Sequence, residues 1–325
     1  MTDIGGPFQY AYNLEREFQK LEHKVRVVSY GRVEKLLPMG LSHIYFFLKI
    51  LPSVLWSDCI LTLDTFSVGV PTALATKLLG RKLIVRVGGD FLWESYVNRT
   101  GEMLTLPVFY EKMPELNVKE KIILYLTKVL LNWSDCLAFN TEWQKKIWNE
   151  SYDIPYDKSV VVRNYIPAKE KPSEPAGKIF LWAGRDTKVK NLKILEEVAS
   201  EIDLGHADFK LKILPKVSHG EFLDNLKNAY AVVHPSVSDM CPNFILEAVS
   251  FGKPFIMTRE TGLGEIYDKG GIFVDPLDKD ELARVMKNML KTEEYERYVN
   301  ELRLMNKERS WAVLAEEFVS ICKRI

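Results

Sequence analysis

Short runs of β-branched and apolar residues alternate with longer amphipathic runs along the whole chain. This alternation constrains the fold more than any other feature. Strands separated by helices pair in parallel and bury both faces of their sheet, so an α/β architecture is expected. In the first half the pattern predicts strands at 25–29, 59–63, 83–87, 136–139 and 160–162, and helices at 8–22, 41–55, 68–79, 118–132 and 142–149. Residues 167–177 break the rhythm. They are rich in proline and charge and read as a stiff, exposed linker. Beyond them the pattern restarts, with strands at 179–183, 209–214, 231–234 and 255–257. Helices are expected at 192–202, 221–227, 242–250, 279–291, 293–307 and 311–323.

A chain of 325 residues accommodates about two domains. Two α/β halves joined by one linker place the default ligand site beyond the carboxyl ends of the strands, in a cleft between the halves. Basic and acidic residues number 44 each. Without a basic excess, nucleic acid is not expected as a partner. Cys59, Cys136, Cys241 and Cys322 are scattered and form no C-x-x-C pair. Neither structural zinc nor a redox pair is expected, and free thiols suit a reducing cytoplasm. The first residues show no signal-peptide pattern. The apolar run 41–56 contains His43, Lys49 and Pro52 and falls short of the ~20 apolar residues of a membrane span. Part of it is expected in the core, and the surplus in peripheral contact with a membrane. With only His43 and Lys49 inside the run, that contact should depend on apolar insertion and respond little to salt.

Two segments carry chemistry. In the first, Gly184, Arg185 and Lys190 fall in a loop between a strand and a helix, where two cations beside a helix N-terminus form an anion trap. In the second, a strand ends at His234-Pro235-Ser236 and a loop carries Asp239. Pro242 stands at the first position of the next helix. The free amides of Asn243 and Phe244 would face an anion such as a diphosphate. Glu247 lies within that helix among Ile245, Leu246, Ala248 and Val249. It is either a hydroxyl acceptor facing the same pocket as Asp239 or a solvated helix residue.

With these motifs the chain resembles the family-4 retaining glycosyltransferases, which have the two-domain GT-B fold. That family carries G-R-x-x-x-x-K-G/N after the first strand of its second domain, here Gly184-Arg185 and Lys190-Asn191. It also carries two acids separated by seven residues before A-x-x-x-G-x-P, here Asp239 and Glu247, then Ala248, Gly252 and Pro254. The resemblance implies that Arg185 and Lys190 clamp the donor diphosphate, that Asp239 contacts the donor sugar, and that Glu247 contacts the nucleotide ribose. Asp239 stands where the family usually has Glu. Gly5 and Gly6 look like the family's glycine loop beside the donor phosphates, although only Met1 and Thr2 precede Asp3, so the first strand of the N-terminal domain is apparently missing. Many members place a histidine after the strand matching 83–87. Asp90 stands there instead, as an acceptor-side group or as a helix cap.

The resemblance implies a Rossmann-like acceptor-side domain over 1–168 and a nucleotide-sugar domain over 169–309. A C-terminal helix over 310–325 would cross back to the first. The implied activity is sugar transfer from a nucleotide-diphosphate sugar to a glycan or lipid-linked acceptor. Arg185, Lys190, Asp239 and Asp90 form the expected catalytic set. No Asp-x-Asp motif stands in a suitable place, so neither metal nor cofactor is expected. The alternatives are a non-catalytic relative that binds nucleotide sugar or glycan, and a sugar-nucleotide epimerase of the same fold.

Overall fold

The computed structural model describes residues 6–171, 173–215, 217–305 and 307–325. These fall into two compact units. One comprises the residues up to Tyr96, Tyr110–Arg163 and Trp311–Ile325; the other comprises Val97–Phe109 and Asn164–Ser310.

The elements run in chain order as α1 (Gly6–Lys20), α2 (Arg32–Leu36), α3 (Met39–Trp56), β1 (Cys59–Thr62), α4 (Gly69–Leu79), β2 (Lys82–Val87), α5 (Phe91–Thr100), α6 (Leu106–Lys112), α7 (Val118–Trp133), β3 (Cys136–Phe139), α8 (Glu142–Tyr152) and β4 (Ser159–Val161). There follow β5 (Lys178–Ala183), α9 (Leu192–Asp203), β6 (Phe209–Leu214), α10 (His219–Asn228), β7 (Ala231–His234), α11 (Asn243–Ser250), β8 (Phe255–Thr258), β9 (Gly271–Val274), α12 (Lys279–Met289), α13 (Thr292–Leu304) and α14 (Trp311–Arg324).

The first unit holds a parallel sheet in the order β1-β2-β3-β4. Leu83, Val85 and Val87 of β2 pack with Leu137 and Phe139 of β3 against Ala73 and Trp148. Asn117 caps α7, accepting from the Glu120 N–H, while the Glu120 carboxylate accepts from the Asn117 N–H. This reciprocal pairing satisfies two donors that a helix start leaves open. Gly80 ends α4 at φ +60°, in the left-handed region that favours glycine.

The run 25–29 forms no strand. Val28 and Tyr30 instead pack beside Phe46 of α3, and the Arg26 guanidinium lies 4.2 Å from the centre of the Trp56 ring. Packing along α3 overrides the strand propensity of three valines. In α3 itself, Phe46, Ile50 and Val54 are buried, while Leu41, Ile44, Leu48 and Leu55 face solvent. No helix among the described residues is long and apolar enough to cross a membrane.

The second unit holds a parallel sheet in the order β6-β5-β7-β8-β9. Successive side chains of β5 enter opposite cores. Phe180 and Trp182 join Val233 and Ile256 on one face; Leu181 joins Val232, Phe255 and Met257 on the other. From β5 the chain first adds β6 on one side, then crosses to add β7 on the other. The strand order therefore reverses between β5 and β7, and loops leaving their carboxyl ends diverge there and open a crevice.

Residues 167–171 and 173–177 are mostly exposed, as their composition predicts, but they are tied down along the second unit. Glu170 N–H donates to the Ser250 carbonyl, Ala176 N–H to the Asn228 carbonyl, and Ser173 Oγ to the Lys227 carbonyl. The buried Lys253 ammonium donates to the Ser173 carbonyl. The strap satisfies carbonyls that the ends of α10 and α11 leave open.

Candidate functional site

Both chemistry-bearing loops leave the switch point of the second unit. The loop after β5 begins at Gly184, whose N–H donates to the Leu214 carbonyl. It passes the exposed Arg185 and tightens into a single 3-10 turn at Lys188–Lys190. Asn191 then sits at φ +52° and starts α9, with its side-chain amide donating to the Pro276 carbonyl at 2.6 Å. A left-handed residue is required at this step, which Gly and Asn supply at least cost.

The loop after β7 is tied to the first. Val237 N–H donates to the Val189 carbonyl. Asp239 N–H donates to the Glu260 carbonyl, and Gly262 N–H to the Met240 carbonyl, so the loop after β8 supports the same turn. Asp239 Oδ2 accepts from Lys190 Nζ at 2.6 Å and lies 2.8 Å from His234 Nε2. Ser236 Oγ lies 3.0 Å from the same ring nitrogen.

The charges balance within this cluster. Burial pushes the Asp239 carboxyl up, but the Lys190 ammonium and His234 outweigh it and hold it below the usual carboxylate range. Burial and the nearby Lys190 charge hold His234 down, against the pull of Asp239. His234 is therefore neutral at neutral pH and donates from Nε2 to the carboxylate, which leaves its buried Nδ1 as an acceptor without a partner among the described residues. The product is a fixed ammonium beside a shared carboxylate oxygen. No hydrogen bond reaches Asp239 Oδ1 among the described residues.

Helix α11 starts one residue later than expected. Pro242 is the N-cap and Asn243 the first helical residue. Ile245 and Leu246 N–H groups turn to the Pro242 carbonyl. Those of Asn243 and Phe244 have no acceptor within the helix, so their partial positive charge is available to an anion. Glu247 is half-buried and its Oε1 lies 2.9 Å from His219 Nε2 on α10. Asp239 and Glu247 thus keep separate partners. Asn164 Nδ2 reaches Asn243 Oδ1 at 3.3 Å.

Two further supports come from the segment Val97–Phe109, far away in sequence. Asn98 Oδ1 accepts from the Lys188 N–H at 3.0 Å, and Ser238 Oγ accepts from the Leu106 N–H at 2.9 Å. This segment thus adds one polar bond to each loop.

In the first unit Asp90 is buried and caps α5. Its Oδ1 accepts from the Trp93 N–H at 2.9 Å and its Oδ2 from the Tyr110 hydroxyl at 2.6 Å. Tyr110 in turn meets the Tyr152 hydroxyl at 2.8 Å. Both Asp90 oxygens are engaged, the geometry of a cap. Gly5 lies outside the described residues, and Gly6 already belongs to α1. Sequence reasoning missed His234, His219, Ser238 and Asn98. A histidine followed by proline reads as a strand terminator, and nothing in local spacing turns its ring toward a residue five positions on.

No curated protein matches the sequence of this chain. Solved structures match its fold over nearly the full length. Sucrose-phosphate synthase from Thermosynechococcus elongatus aligns with a TM-score of 0.72 at 13% identity, covering 98% of this chain and 93% of that one. Anabaena HepE, crystallised with UDP-glucose, aligns with a TM-score of 0.68 at 13% identity, covering 99% and 96%. The lipopolysaccharide outer core galactosyltransferase WaaB aligns with a TM-score of 0.62 at 14% identity, covering 100% and 98%. These likenesses establish the architecture as GT-B. Residues 179–292 match the family model described as Glycosyl transferases group 1, so the second unit carries a domain of that family.

Proposed function

We propose that the chain is a family-4 retaining glycosyltransferase that moves a sugar from a nucleotide-diphosphate sugar to a hydroxyl of a glycan or lipid-linked acceptor. The observation that carries this reading is the Lys190–Asp239 pair at 2.6 Å, just ahead of the α11 N-terminus, inside the domain that matches the glycosyl transferase family. The relative crystallised with UDP-glucose supports the choice of donor class. Arg185, Lys190 and the Asn243 and Phe244 amides would stabilise the charge that grows on the leaving diphosphate. Such preorganised electrostatic stabilisation commonly contributes more to the rate than any other effect. Fixed cations at that point supply what a divalent metal otherwise supplies, so the reading includes no metal. Asp239 Oδ1 would accept from a sugar hydroxyl and Glu247 from the ribose. Free thiols at all four cysteines fit a cytoplasmic reaction.

The test is nucleoside diphosphate release from a panel of nucleotide sugars, with and without acceptor, followed by proton NMR of the product anomer. Acceptor-dependent release with the donor's anomeric configuration kept is the expected result. Turnover of the donor sugar without acceptor would point to an epimerase. Tight donor binding without any turnover would point to a non-catalytic binder.

A further inference from the structure

Helix α3 is apolar on both sides, yet only one side is covered. Ser42, Phe46, Ile50 and Val54 recur every fourth residue and are buried. The opposite stripe consists of Leu41, Ile44, Tyr45, Leu48, Leu55 and Trp56, with exposures of 55%, 58%, 40%, 58%, 56% and 40%. At 100° per residue these six positions occupy one continuous arc, and the only other residue in it is the exposed Pro52. A solvent-facing helical stripe without one charged side chain is rare on a surface that stays wet. Leu36 of the neighbouring α2, 85% exposed, extends the same kind of surface.

The sequence stretch that holds this stripe is basic. Between His23 and Trp56 the sequence carries Lys24, Arg26, Arg32, Lys35 and Lys49 against a single acid, Glu34. Glu34 is buried and paired with Lys49, so the two charges cancel and the excess rests on Lys24, Arg26, Arg32 and Lys35. The chain as a whole is neutral, so this stretch is a basic island whose counterweight lies elsewhere. Arg26 lies over the Trp56 ring, which puts a cation directly at the edge of the apolar stripe. Tyr45 and Trp56 carry the amphipathic rings that settle at the level of lipid headgroups.

We infer that the exposed stripe of α3, with its basic surround, is a docking surface for an anionic lipid bilayer. The aliphatic side chains would enter the acyl boundary in the plane of the interface, and Arg26 and Arg32 would meet headgroup phosphates. The cations outside the apolar run make the interaction salt-dependent, whereas the apolar run taken alone predicts little response to salt. An anionic bilayer matches both features together, the uncharged apolar stripe and the basic excess of the stretch that holds it.

The test is co-sedimentation of the full chain with vesicles of phosphatidylglycerol and phosphatidylcholine, against vesicles of phosphatidylcholine alone, at low and high salt. Binding to the anionic vesicles, weakened by salt, is expected. Ile44→Ser with Leu48→Ser should lower it by about tenfold or more, as should Arg26→Glu with Arg32→Glu. All four side chains lie at the surface, so the urea midpoint should match wild type. Wild-type protein that stays in the supernatant overturns the inference, as does a serine variant that binds undiminished. Sedimentation velocity that finds a dimer dispersed by the serine pair would overturn it too, and would assign the stripe to a second copy of the chain.

Discussion

Lys190 and Asp239 stand 49 residues apart in sequence and meet at 2.6 Å, each on the loop that leaves one of two adjacent strands. Neither loop sets this pair alone. The Val189 carbonyl and the Val237 N–H zip the two backbones together one step before the side chains meet. The ammonium is therefore placed before any ligand arrives, and an incoming diphosphate would find it already oriented. Lys190→Ala is expected to weaken nucleoside diphosphate binding by about 1–3 kcal/mol in calorimetry. It should also destabilise the second unit by about 1–3 kcal/mol in urea, because Asp239 is left largely buried with only His234. Arg185→Ala should reproduce the binding loss without the stability loss, since Arg185 is exposed. Unchanged affinity in both variants would remove the diphosphate assignment.

The two loops were legible in the sequence because their signals are local. A strand, a glycine, the motif cations Arg185 and Lys190 and an asparagine occupy a short stretch that ends with Gly184 to Asn191. Most sheet strands were legible for the same reason, since runs of β-branched and apolar residues need only their neighbours to be read; β9, four residues opening on glycine, was not among those expected. What escaped depends on distant partners. Residues 25–29 have strand propensity but lie along α3, and only the position of α3 decides that. Helices α5 and α6 are separated by Gly101 at φ +77°, and α6 carries Pro107, so no sustained period marks them. Asn98 and Leu106 brace the loops of the second unit's sheet, a relationship no sequence window contains.

Asp90 gives a prediction of opposite sign to Asp239. Burial raises its carboxyl to about 6, against bonds from Tyr110 and the Trp93 N–H that pull it down. The folded state thus binds this proton more tightly than the unfolded chain does. Its contribution to stability is fully present below pH ~4, the unfolded value, and is lost as pH rises through about 6. Asp239, held low, contributes above its unfolded value and loses that contribution only as the solution becomes strongly acid. Asp90→Asn cannot titrate. The stability of wild type relative to this variant should therefore fall by up to about 3 kcal/mol between pH ~4 and pH ~7. Urea unfolding at several pH values measures it, and a constant difference would contradict it.

The His219–Glu247 contact has its own titration. The bond to Glu247 raises His219 above its ordinary value, although partial burial opposes it. The charged pair is therefore present at acid pH and lost as pH rises through the folded value. In an NMR titration the His219 imidazole should titrate above 6.5 in wild type and lower in Glu247→Gln. If Glu247 also grips the ribose, the same variant should weaken binding of the nucleoside diphosphate and of the nucleoside monophosphate alike. Unaltered binding of both would leave Glu247 as the partner of His219 only.

A substitution at Asp239 would separate the proposed sugar contact from the proposed diphosphate clamp. The Asp239 Oδ2 is shared by Lys190 and His234, while Oδ1 accepts no hydrogen bond among the described residues. Asn in its place keeps a carbonyl oxygen toward one side and the size of the side chain, but it removes the negative charge that would face the sugar. Asp239→Asn is therefore expected to leave nucleoside diphosphate affinity within a factor of about three and to lower turnover by about tenfold or more, the scale of one charge-assisted hydrogen bond. The loss should fall on kcat, because the contact would strengthen as the sugar acquires positive character in the transition state. Calorimetry with the nucleoside diphosphate and initial rates with the full donor distinguish the two quantities. A variant that loses diphosphate affinity but turns over normally at saturation would reverse the assignment and make Asp239 solely an orienting partner of Lys190.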